Sequence, residues 1–133
     1  MRLYDRSYRA LRGAALCRLA ALRVRQGRLA EAAELLVGVE HDSYAVRPHV
    51  ELHLARGEAE LAAVRAERYL REHGDSELAA PLLLLLVRAE AERGDVIAAR
   101  AAARRLRRSA AAQPHRLTVA LADHADGLVA ATE

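Results

Sequence analysis

The chain reads as all-α, a series of antiparallel helical hairpins with about seven helices, on three observations. First, the stretch from Gln26, "QGRLAEAAELL", is echoed as "RGEAELAAVRA" from Arg56 and "RGDVIAARAAA" from Arg93. Second, the apolar content of 53% is dominated by Ala and Leu, with Phe and Trp absent and a single isoleucine, Ile97. Such a composition has few strand formers and many helix formers. Third, apolar residues recur at helical spacing on both sides of each echoed glycine: Leu11, Ala15, Leu16, Leu19 and Leu22 before Gly27, then Leu29, Ala32, Leu35, Leu36 and Val39 after it.

The elements follow in order. Aligning Gly27, Gly57 and Gly94 gives intervals of 30 and 37 residues. A glycine between two helices is expected where the first ends in a left-handed residue and the second turns straight back. Repeat 1 is placed at about residues 13–42, with residues 1–12, including Tyr4 and Tyr8, expected to cover it. In repeat 2, at about 43–74, the helices run from Tyr44 to Arg56 and from Ala59 to His73. Pro48 lies early in the first, where a missing amide hydrogen costs little, and Gly74 stops the second. Repeat 3, at about 76–110, has Ser76 as its expected N-cap, a helix through Leu82 to Arg93, the Gly94-Asp95 bend and a helix to Ser109. Pro114 is expected to open a capping helix over about 114–132 that carries Leu117, Leu121, Leu128 and Val129.

With Gly27, Gly57 and Gly94 at the bends and Ala32, Ala62 and Ala99 at the close approach of each pair, the "GxxxxA" pattern resembles the tetratricopeptide (TPR) repeat over residues 13–133. The mean interval is near that family's repeat of roughly 34 residues. The usual aromatic positions hold no Trp or Tyr, and the closing proline is missing. The Ala- and Arg-rich wording is also similar to the helical-repeat segments of LuxR-type transcriptional regulators of actinobacteria, although no helix-turn-helix is found here. The resemblance implies one TPR-like domain over 1–133, stacked as a right-handed superhelix whose first helices line a groove that binds a protein or peptide. It places Arg25, Tyr44, Arg47, Glu51, Leu84 and Arg88 in that groove, where the arginines would hold an acidic peptide. The alternative for these arginines is a solvated surface paired with Glu51 and Glu92.

Stacked hairpins bury their apolar stripes only against neighbours, so the ends must be covered. The last helix therefore either caps the array or, if the chain is a fragment of a longer one, joins two copies as a homodimer through Leu121, Leu128 and Val129.

Other function classes are less well supplied. The net charge of +3 comes from 21 basic and 18 acidic groups that are interspersed, which describes a solvated surface better than a polyanion-binding face. The densest basic run, Arg100, Arg104, Arg105, Arg107 and Arg108, is the one candidate for a nucleic acid or small regulatory ligand; without interleaved aromatics, a solvated helix end is the default and nucleic acid is not favoured. His49 and His53 stand at i and i+4 with His41 nearby, but spacing fixes no third ligand, and no metal or cofactor is expected. "DHAD", Asp123 to Asp126, has no paired nucleophile, and without lysine neither a Walker motif nor a Schiff base is available. A non-enzymatic role is expected.

Cys17 is the only cysteine, in keeping with a reducing compartment and a small buried side chain. The arginines of the first 22 residues argue against a signal peptide, and the longest apolar run, Leu82 to Val87, is far short of the roughly 20 residues that span a bilayer. A cytoplasmic protein without a membrane segment is expected.

Overall fold

The computed structural model describes residues 2–74, 76–112 and 115–133, the side chains of residues 2–8 and 10 excepted. Among them are seven α-helices and no strand: α1 (Arg2–Arg25), α2 (Leu29–Val37), α3 (Val46–Ala55), α4 (Ala59–His73), α5 (Ala79–Glu92), α6 (Val96–Ala112) and α7 (Arg116–Thr132), with a 3-10 turn at Ser43–Ala45 before α3. The chain divides into two compact units, Met1–Gly57 and Glu58–Glu133, so the division falls at the bend of the second echoed stretch.

In the first unit α1 packs against α2 and α3. Its core joins Cys17 and Ala20 of α1 to Ala32 and Leu36 of α2, Ala45 and Leu52, with Val24, Leu29 and Leu35 partly buried around them. The inward stripe of α1 is therefore built of small residues. Leu11 and Leu22, members of the apolar series read at helical spacing, are exposed, whereas Cys17 and Ala20 are buried in the core with Val24 packed against it. Nor do residues 2–12 form a separate cover: they continue α1 as one helix of 24 residues. The side chains of Tyr4 and Tyr8 lie outside the described residues.

Gly13 makes room for a second chain segment. A Cβ there would lie 2.5 Å from Asp42 Oδ2. Asp42 in turn accepts a hydrogen bond from the Tyr44 amide at 2.9 Å and caps the 3-10 turn, a use of Asp that satisfies an otherwise orphan donor.

In the second unit α5 is the central element, packed against α4, α6 and α7. That position explains its composition. Leu82, Leu83, Leu85, Leu86 and Val87 are all buried, as expected of a helix that is apolar on nearly every side. The buried residues of its partners include Ala62, Ala66 and Leu70 on α4, Ala99, Ala103 and Leu106 on α6, and Ala122, Ala125 and Val129 on α7. The predicted limits of α4 agree with those observed, and Gly74 ends it with φ +54°. Ser76 does not cap α5: the N-cap position is Leu78, without a side-chain bond, and the Ser76 hydroxyl is instead 3.2 Å from the Tyr69 hydroxyl. The expected start of α7 at Pro114 lies outside the described residues; His115 occupies its N-cap, and its Nδ1 accepts from the Leu117 amide at 3.4 Å.

Candidate functional site

The recurring feature is the bend. Gly27, Gly57 and Gly94 have φ of +75°, +76° and +76°, the left-handed region where a side chain is strained. At each, the glycine amide donates to the carbonyl three residues back: to Val24 at 3.0 Å, Leu54 at 3.1 Å and Ala91 at 3.0 Å. In the first and third copies the next amide reaches five residues back, Arg28 to Arg23 at 2.8 Å and Asp95 to Glu90 at 2.9 Å, which completes a Schellman closure of the helix end. Each following helix opens with the same bond, from Ala32 to Arg28, Ala62 to Glu58 and Ala99 to Asp95. These three alanines are each 0% exposed. Within the first unit the bend at Gly27 pairs α1 with α2, and within the second the bend at Gly94 pairs α5 with α6.

The residues expected to line a groove fall in separate units. In the first, Arg47 binds Glu51 across one turn at 3.1 Å, Tyr44 is exposed on the 3-10 turn, and Arg25 is exposed at the end of α1 without an ion pair to another described residue. In the second, Leu84 is half-buried on α5 and Arg88 is exposed on the same helix, also without an ion pair to a described residue. Of the residues expected to mediate self-association, Val129 is buried in the core of the second unit, and Leu121 and Leu128 are half-buried.

The arginine run of α6 is largely engaged within its own unit. Arg107 donates to Asp123 at 2.7 Å and to Asp126 at 2.5 Å, and these two hydrogen bonds raise its pKa above the ordinary arginine value. Arg100 pairs with Glu133. Arg105 stands 3.6 Å from Glu67. Arg104 and Arg108 have no such partner among the described residues. The "DHAD" stretch is thus an anchor for Arg107, brought into place by the packing of α6 on α7. Spacing along the sequence held no sign of this pairing.

Sequence reading also missed the one buried charged residue among those described. Glu90 of α5 is 6% exposed, and Arg93 donates to both of its carboxylate oxygens at 3.1 and 3.0 Å. Cys17 is buried, and burial, followed by the charge of Asp42, pushes its thiol up to about 11. His49 and His53 belong to α3, and among the described residues no group of three or more His, Cys, Asp or Glu side chains is placed to hold a metal. Among the described residues no helix is long and apolar enough to cross a membrane. No family model, no curated protein and no solved structure matches the chain.

Proposed function

We propose that the chain is a non-catalytic protein–protein interaction module, built of helical hairpins of TPR type and similar to the accessory segments of LuxR-type regulators. The observation that carries this reading is the bend, which recurs three times with one glycine conformation and one fully buried alanine five residues later. A chain that repeats a structural unit while varying the exposed residues on it is organised to present surface, and in repeat arrays that surface binds other proteins. Apolar side chains left in solvent add support: Leu61 and Val64, one turn apart on α4, are 50% and 59% exposed. Exposed, unpaired arginines such as Arg25 and Arg88 supply charge that a partner's carboxylates can meet.

The test is native capture from a lysate of the source cells with four parallel baits: wild type, Arg25→Ala, Arg88→Ala and Leu61→Asp/Val64→Asp. A protein held by the wild type and lost from at least one variant of unchanged helicity is the expected result. Identical capture by all four baits, or capture of nothing, counts against the proposal. Capture of the chain's own second copy alone replaces it with homodimeric assembly.

A further inference from the structure

The second unit contains a cleft of about 630 Å3 between the C-terminal halves of α4 and α6 and the first turns of α5 and α7. That volume falls within the range of small-molecule sites, roughly 300–1,000 Å3. Its walls are of two kinds. Ala79, Ala80 and Ala112 supply an apolar side over the buried Leu70 and Leu83, and Arg105, Arg108, Ser109 and Thr118 supply a polar one.

The polar side has unspent hydrogen-bonding capacity. Arg105 and Arg108 are one helical turn apart, so their guanidinium groups share a face of α6. The hydrogen bonds described above take Arg107 out of play, but not this pair. Arg105 is held only at 3.6 Å by Glu67, with both side chains well exposed, an arrangement worth little in water. Arg108 has no hydrogen bond or ion pair to another described residue, and the same holds for the hydroxyls of Ser109 and Thr118. Among the described lining residues the one carboxylate, Glu77, is exposed and is outnumbered by the two arginines.

We propose that this cleft binds a small amphiphilic anion, with a carboxylate or phosphate head on Arg105 and Arg108 and an apolar body against Ala79, Ala80 and Ala112. A guanidinium fork suits both heads, because each offers two oxygens to parallel N–H donors. The apolar wall distinguishes such a ligand from a bare inorganic ion. It also confines the site to one end of the second unit, independent of the protein-binding role proposed above.

The experiment titrates the full chain with octanoate and with octyl phosphate, and as controls with acetate, inorganic phosphate and 1-octanol, following backbone amide shifts by NMR. At least one of the two amphiphiles is expected to saturate with sub-millimolar affinity, with shifts centred on residues 79, 80, 105, 108, 109 and 112. The tighter of the two identifies the head group. The controls, each carrying half of the chemistry, bind at least about tenfold more weakly, since tenfold corresponds to only 1.4 kcal/mol. Arg108→Gln and Arg105→Gln each weaken binding on the order of tenfold, the scale of one lost charge-assisted bond. Glu67→Gln, which releases Arg105, tightens it. No saturation by either amphiphile, shifts that centre elsewhere, or affinity unchanged in both arginine variants overturns the proposal.

Discussion

Cys17 shows how far one buried side chain departs from its behaviour in water. Its thiol is held protonated by burial beside the Asp42 carboxylate, with the pKa raised from 9.0 to about 11. An acid whose folded pKa lies above its unfolded one favours the fold fully below the unfolded pKa, and that contribution falls as pH rises through the interval. Denaturation midpoints of the wild type and Cys17→Ala, measured from pH 8 to 11, test this. The advantage of the wild type is expected to shrink between pH 9 and 11, where the unfolded thiol ionises and the folded one does not; a constant difference contradicts the assignment. At this scale the sequence was partly legible. The burial of Cys17 followed from its place in an apolar helix, and that of Ala32, Ala62 and Ala99 from the repeated "GxxxxA" pattern and the family it resembles. Leu11 and Leu22 misled, because a periodic count rewards large apolar residues, whereas α1 meets α2 through small ones that let the backbones approach.

Single helices follow the same logic with more constraints. α4 was legible at both ends because glycines bracket it: a left-handed bend before it and a left-handed stop after it leave one interval for a helix. α5 was legible as a buried helix from its run of leucines, yet its N-cap was displaced by two residues, from Ser76 to Leu78, since the Ser76 hydroxyl turns to Tyr69 rather than to the helix end. Glu90 was not legible at all. Its burial is a matter of tertiary packing, and only the three-residue spacing to Arg93 hinted at a pair. Removing Arg93 leaves a buried carboxylate without its donor, so Arg93→Ala is expected to cost about 1–3 kcal/mol in urea denaturation, against a loss within about 0.5 kcal/mol for the exposed Arg88→Ala. Glu90→Leu combined with Arg93→Ala recovers part of that loss, because the apolar pair no longer needs the bond. Equal effects of Arg93→Ala and Arg88→Ala contradict this account of Glu90.

Across the whole molecule the regularity lies in three bends of one design, spaced unevenly along the chain and read from sequence through three glycines. What could not be read is which surface residues work together. The carboxylate partners of Arg107 lie 16 and 19 residues away, and the cleft beside Arg108 exists only through the packing of four helices. The glycines themselves offer the most direct test of the repeat. Gly27, Gly57 and Gly94 have open space where a Cβ would stand, so only backbone conformation penalises a side chain there. Gly127 also has open space, but it sits inside α7 without a positive φ. The measurement is the unfolding free energy of the four single glycine-to-alanine variants. The three bend variants are expected to lose about 1–2 kcal/mol each, the cost of a left-handed L-residue, while Gly127→Ala gains about 0.5–1 kcal/mol from helix propensity. A bend glycine that accepts alanine as readily as Gly127 does would show that the three copies do not share one bend.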